Sequence, residues 1–304
     1  MKHILTTAQF SKDDVTTILS RARDMEGYCT SGSVPKLLAD KIVACMFFQP
    51  STRTRLSFET AALKLGAQVI SVENATSNSS SYKGETIEDT ARTLSSYADA
   101  IVIRHQEKGM VARAASVTSK PVLNAGDGAH EHPSQALLDL YSILKENGRL
   151  DHLTFVFVGD ILNSRTIHSL LPLLLHHEGN VFHFISPAEL RLPEEYTKDL
   201  RTRGVAFFEH DDLDAALPEA DVLYMTRVQK ERFEDMTAYD MVKDQFLLTK
   251  EHLLLMKEKG VILHPLPRVN EIDARVDDDA RAAYFRQTEN GLYVRMALLE
   301  YALQ

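Results

Sequence analysis

Eight short apolar runs, separated by segments of helical periodicity, constrain the fold of this chain more than any other feature. They are KIVACMFF (41–48), AQVISV (67–72), AIVI (100–103), PVLN (121–124), TFVFV (154–158), NVFHFI (180–185), DVLYM (221–225) and GVILH (260–264). Runs of this length, rich in Val, Ile and Phe and without polar alternation, read as buried strands of parallel sheets. Helical patterns over 52–65, stopped by Gly66, over 86–98 and over 133–145 supply the crossovers. The predicted class is therefore α/β with right-handed connections. The runs fall into two groups of four, before and after the helical stretch from Pro133 to Asn147. This predicts two domains, each a parallel sheet flanked by helices, joined by interdomain helices. The expected division is 1–133 and 134–304, with Asn147-Gly148-Arg149 opening the second sheet. An amphipathic helix over about 290–304 is expected to pack back on the first domain.

Length and charge narrow the function. At 304 residues the chain is long enough for two cores. With 34 Lys+Arg against 43 Asp+Glu, its net charge of −9 argues against a nucleic-acid or anionic-membrane binder. No N-terminal apolar h-region and no run of about 18 apolar residues is present, so a cytoplasmic location and no membrane partner are expected. Cys29 and Cys45 are the only cysteines and form no CxxC pattern, so they read as packing thiols rather than a disulfide or zinc site.

In open parallel sheets, ligands bind beyond the carboxyl ends of the strands. The residues that follow the runs are Gln49-Pro50-Ser51-Thr52-Arg53-Thr54-Arg55, Arg104-His105, and Asp127-Gly128-Ala129-His130-Glu131-His132. In the second half they are Gly159-Asp160 with Arg165 beyond, Thr226-Arg227-Val228-Gln229, and His264-Pro265-Leu266-Pro267-Arg268. Ser51 to Arg55, between a strand and a helix, offers helix N-terminal N–H groups, hydroxyl donors and the planar fork of Arg53, a phosphate cradle built without glycine. The bland alternative is a Ser/Thr helix cap beside solvated arginines. No Walker A or GxGxxG pattern occurs. His130-Glu131-His132 leaves three readings open: a metal pair lacking a third ligand at a convincing spacing, structural histidines, or a catalytic donor at His132. Arg165, Arg227 and Gln229 at strand ends suit a small dicarboxylate, although Arg227 also opens a charged stretch running to Arg232.

The segment Phe48 to Glu59 resembles the S-T-R-T-R signature of the aspartate/ornithine carbamoyltransferase family. Lys83-Gly84-Glu85-Thr86, Arg104-His105, Asn124 to Gly128, His132-Pro133-Ser134-Gln135, Arg165, Arg227-Val228-Gln229 and His264 to Arg268 follow in family order, over nearly the whole chain. H-P-L-P together with R-V-Q resembles the aspartate branch. The resemblance implies transfer of the carbamoyl group of carbamoyl phosphate to L-aspartate in pyrimidine biosynthesis, without cofactor or metal.

It further implies that Ser51, Thr52, Arg53, Thr54 and Arg104 hold the phosphate, with Ser79 and Lys83 arriving from a neighbouring subunit of a homotrimer. His132, Thr54 and Arg104 would donate to the carbamoyl oxygen, and Gln135 with the backbone of Pro265 and Leu266 would accept from its NH2. Lys83, Arg165, Arg227 and Gln229 would hold aspartate. The catalytic set so implied is His132, Arg104, Thr54 and Lys83. Physical reasoning agrees, because an already activated donor needs only juxtaposition with the amine and a stabilised oxyanion. With one substrate per half, domain closure is expected. Gln49, Leu162-Asn163 and Ala238-Tyr239 depart from residues common in regulated relatives, which weakens the expectation of cooperativity; a regulatory chain remains an open partner. The alternatives are a carbamoyltransferase for another amine and a phosphate-binding assembly domain without activity.

Overall fold

The computed structural model describes residues 2–304 except 231, 232, 234, 243 and 244. The chain forms two compact units. One comprises Met1–Tyr141 with Thr288–Gln304, the other Ser142–Gln287. The changeovers fall inside two helices, Pro133–Asn147 and Tyr284–Leu303.

In chain order the first unit contains α1 (Lys12–Ser31), β1 (Ile42–Phe47), α2 (Thr52–Lys64), β2 (Gln68–Glu73), α3 (Ala75–Asn78), α4 (Ile87–Ser95), β3 (Ala100–His105), α5 (Met110–Ala115), β4 (Val122–Asp127) and the start of α6 (Pro133–Asn147). Its strands are parallel in the order β2-β1-β3-β4. β3 and β4 are buried throughout, as their unbroken apolar runs require. β2 is an edge strand with several exposed positions. Ala44, Met46, Ile101, Ile103 and Val122 pack with Ile87 and Ala91 of α4 and Val111 of α5.

The second unit contains β5 (Thr154–Val158), α7 (Arg165–Leu174), β6 (Val181–Ile185), α8 (Glu194–Thr202), β7 (Phe207–His210), β8 (Val222–Met225), α9 (Met236–Val242), β9 (Val261–Leu263) and the first turn of α10 (Tyr284–Leu303). Its parallel order is β7-β6-β5-β8-β9. Phe155 stacks on Phe182 at 5.4 Å and Phe157 on Phe184 at 5.6 Å, so neighbouring strands lock through their rings.

All eight apolar runs form strands, and a ninth, β7, joins them at the sheet edge. The polar segment Ser71 to Glu85 contains the end of β2, the short α3 and a 3-10 turn at Ser80–Lys83. Asn74, in left-handed conformation, starts α3, and the Ser79 side chain caps the turn by accepting from the Ser81 N–H. The C-terminal helix begins at Tyr284, several residues before the expected start.

Remaining features are brief. The Cys45 thiol is buried, which pushes its pKa well up, and Cys29 lies 3.8 Å from the Met296 sulfur. Among the described residues, no helix is long and apolar enough to cross a membrane.

Candidate active-site constellations at two sheet switch points

In the first unit the chain runs from β1 to one side of the sheet for β2, then crosses to the other for β3. Order β2-β1-β3-β4 therefore places a topological switch between β1 and β3, where the outgoing loops diverge and leave a crevice. The register Phe47↔Arg104 puts Arg104 beside the last residue of β1, and the Phe48 N–H donates to the Arg104 carbonyl at 2.9 Å. Gln49 to Ser51 continue from that point into α2.

Ser51 occupies the N-cap position of α2, yet its hydroxyl makes no capping bond. The helix-cap alternative thus fails at this residue, and the first-turn N–H groups lack the usual side-chain acceptor. Arg53 makes no ion pair or side-chain hydrogen bond among the described residues; desolvation lowers its pKa from the ordinary arginine value. Arg55, two residues on, is tied to Glu59 and Glu73, each at 3.1 Å. Thr54 is buried, whereas Thr52 is exposed. The candidate cradle thus narrows to Ser51 to Thr54, while Arg55 is committed to its two acids.

Arg104 is buried, and its Nη1 donates to the Ala125 carbonyl at 3.2 Å. Beyond β4, His132 heads α6, its carbonyl accepting from the N–H groups of Gln135 and Ala136. The Ser134 hydroxyl lies 3.5 Å from His132 Nδ1. If Nδ1 accepts there, the proton resides on Nε2, the form able to donate outward. No group of three His, Cys, Asp or Glu suited to a metal ion occurs among the described residues.

Ser79 and Lys83 lie on the segment after β2, with Lys83 exposed. Thr76 ties this segment to the end of β1 by donating to the Phe48 carbonyl at 3.1 Å. His105, adjacent to Arg104, is turned inward instead: its ring lies 4.9 Å from Phe48 and burial lowers its pKa.

The second unit has the same device. Order β7-β6-β5-β8-β9 puts its switch between β5 and β8. Arg165 begins α7 after β5, and Arg227 and Gln229 follow β8. The two loops are knitted by Asp160, fully buried, which accepts from Asn163 and from the Gln229 backbone N–H. Gln229 Nε2 also donates to the Asn163 carbonyl at 2.9 Å. Gly159 makes this approach feasible: at φ 114°, a Cβ there would sit 2.1 Å from the Thr226 carbonyl oxygen. Asp160 and Asn163 were visible in the sequence only as residues near a strand end. Arg232 lies outside the described residues, as does the side chain of Ala238.

After β9, His264 anchors the following loop. Its Nδ1 accepts from the Leu266 N–H at 2.7 Å, so Nε2 bears the proton and donates to Glu271 at 2.6 Å. Burial pushes the Glu271 pKa up, but the hydrogen bonds from His264 and the Val269 N–H outweigh it, and the net pKa lies below the ordinary glutamate value. Leu266 adopts a left-handed φ of 55° and precedes a cis Pro267. Arg268 is held by Asp277 and Tyr284. The backbone at Leu266 is thus tied to His264, and Arg268 is committed to Asp277 and Tyr284.

Comparison with known proteins identifies the family. A model of the aspartate/ornithine carbamoyltransferase carbamoyl-P binding domain matches residues 2–145, and one of the Asp/Orn binding domain matches residues 151–302. The aspartate carbamoyltransferase catalytic subunit of Methanocaldococcus jannaschii is 44% identical over 304 residues, covering 100% of this chain and 98% of that protein. The catalytic subunit from Vibrio cholerae is 46% identical, covering 99% and 96%. The solved structure of aspartate transcarbamoylase from Trypanosoma cruzi with carbamoyl phosphate and aspartate matches with TM-score 0.95 at 39% identity, covering 100% of this chain and 97% of that one. With full-length relatives at this identity and both domain models matched in order, the chain belongs to the aspartate/ornithine carbamoyltransferase family.

Proposed function

We propose that the chain is a transferase that carbamoylates L-aspartate, converting it and carbamoyl phosphate to N-carbamoyl-L-aspartate and phosphate, a step of pyrimidine biosynthesis. The observation that carries this reading is the uncapped start of α2 at the β1/β3 switch point, with Arg53 uncommitted while its neighbour Arg55 is ion-paired. An anion with several oxygens is the complement of such a terminus. The relatives named above are aspartate carbamoyltransferases, and one was solved with both substrates.

In this mechanism Ser51, Thr52, Arg53, Thr54 and Arg104 hold the phosphate. His132, Thr54 and Arg104 donate to the carbamoyl oxygen, and Gln135 and the Pro265 and Leu266 carbonyls accept from its NH2. Arg165, Arg227 and Gln229 hold the two carboxylates of aspartate, with Lys83 contacting both substrates. The neutral amine attacks the carbamoyl carbon, a tetrahedral oxyanion forms against the fixed donors, and phosphate departs as the C–O bond breaks. The amine proton leaves with the phosphate dianion. No protein nucleophile is required, because the carbamoyl group is already activated.

We further propose that residues to about 133 bind carbamoyl phosphate and later ones aspartate, with the C-terminal helix returning to the first part. Ser79 and Lys83 complete the site of a neighbouring chain in a cytoplasmic homotrimer. The relatives' designation as catalytic subunits makes a second, regulatory chain the partner to test for.

The test is product formation with L-aspartate, L-ornithine and N-acetylornithine side by side. Ureido product from aspartate alone is expected. Product from another amine instead would reassign the acceptor, and none from any would make the protein a phosphate-binding module.

A further inference from the structure

The side chain of Gln135 faces a problem that shape cannot solve. Its amide oxygen and nitrogen are nearly the same size, so packing alone fits either end toward the ligand. Only a group that distinguishes acceptor from donor can fix the direction. Asp139, one helical turn along α6 and fully buried, is such a group: Gln135 Nε2 donates to Asp139 Oδ1 at 2.8 Å.

A carboxylate accepts and never donates, so while Asp139 is ionised the nitrogen must face it and the oxygen must face away. The bond from Nε2 is the only hydrogen bond of the Gln135 side chain among the described residues. A buried carboxylate needs a cation to remain ionised. Arg295, on α10, supplies one. It is buried, stacks 5.3 Å over the Phe58 ring, and interacts electrostatically with Asp139. Burial lowers its pKa to about 10, which leaves it charged at neutral pH.

We propose that Asp139 is a positioning residue that fixes the Gln135 amide so that its oxygen receives the NH2 of the carbamoyl group. The inference rests on the function proposed above and deepens it. The carbamoyl group is itself pseudo-symmetric about its C–N and C=O ends. A reversed Gln135 would therefore present NH2 to NH2 and favour a ligand turned with its oxygen away from the His132 donors. Asp139 thus selects the reactive orientation of the substrate without touching it.

Acetyl phosphate, which carries methyl where carbamoyl phosphate carries NH2, isolates this contact. The experiment measures dissociation constants of carbamoyl phosphate, acetyl phosphate and inorganic phosphate by calorimetry on the assembled full-length protein, for the parent, Gln135→Ala and Asp139→Asn. In Asp139→Asn the side-chain NH2 can face Gln135 and donate to its amide oxygen, which lets the glutamine reverse. The preference for carbamoyl over acetyl phosphate is expected to fall about tenfold in both variants, with inorganic phosphate binding unchanged.

A preserved preference in Asp139→Asn alongside a lost one in Gln135→Ala overturns the positioning role and leaves the functional reading standing. A preserved preference in Gln135→Ala removes Gln135 from the NH2 contact and overturns the positioning role, while the functional reading, tested by product formation, stands. Equal weakening of all three ligands in Asp139→Asn marks a structural role and also overturns the proposal. Should Asp139→Asn not fold, Arg295→Met removes the buried cation that acts electrostatically on Asp139. The same selective loss is expected, and an unchanged preference refutes it.

Discussion

Arg53 and Arg55 lie two positions apart in the same first turn of α2 and are indistinguishable by residue type. The structure separates them, since Arg55 is spent on Glu59 and Glu73 while Arg53 has no acid partner among the described residues. Arg53→Ala should therefore lower kcat by roughly 10²- to 10³-fold while leaving stability nearly unchanged, by analogy with removal of a preorganised donor. Arg55→Ala should instead cost about 1 kcal/mol, since its ion pairs are only partly buried. Steady-state kinetics and urea unfolding on both variants check this, and matching profiles would contradict the division. The sequence made the cradle legible through hydroxyls and arginines between a strand and a helix. It did not show which cation was free, because ion pairing to Glu73 depends on β2 lying beside β1.

At the scale of elements, strands buried on both faces were readable and the exposed edge was not. β7 is only Phe207–His210, with Phe208 half exposed, so it lacks the continuous apolar run that marked the others. Its place is fixed by pairing with β6, where His183 Nδ1 and His210 Nε2 lie 3.1 Å apart and the two rings stack, with Phe208 alongside. Burial lowers the His183 pKa, and proximity to His210 adds to this against the opposing charge of Glu219. A depressed value means the folded state prefers neutral His183. Its contribution is complete above the unfolded value of about 6.5 and is lost as pH falls toward the folded value. The melting temperature should thus decline below that pH, and His183→Gln should decline less steeply. Calorimetric scans at several acidic pH values measure the difference, and parallel declines would exclude His183 as a source.

At the scale of the whole molecule, the composite site is the proposal with the most distinctive signature. Lys83 is exposed on a turn after β2, the outer strand of its sheet, where it is available to a neighbouring chain. Chains carrying Lys83→Ala and chains carrying Arg53→Ala should each be inactive and should complement when mixed. With random exchange in a closed trimer, about three quarters of assemblies are mixed and each regains one of three sites, so roughly one quarter of parental activity should return. No return after verified exchange would place Lys83 in its own chain's site or outside the chemistry.

The unused hydroxyl of Ser51 reaches furthest. A helix that forgoes its own cap gives up about 1 kcal/mol, and in the site proposed above a bound phosphate would supply what is missing. Under that proposal, substrate would be part of the scaffold as well as cargo. Any ligand that binds only the folded state stabilises it in proportion to the logarithm of its concentration. Here that dependence is concentrated in one helix turn at the strand switch. Hydrogen exchange in the first turn of α2 would slow as phosphate rises, and resistance to proteolysis would follow the supply of substrate.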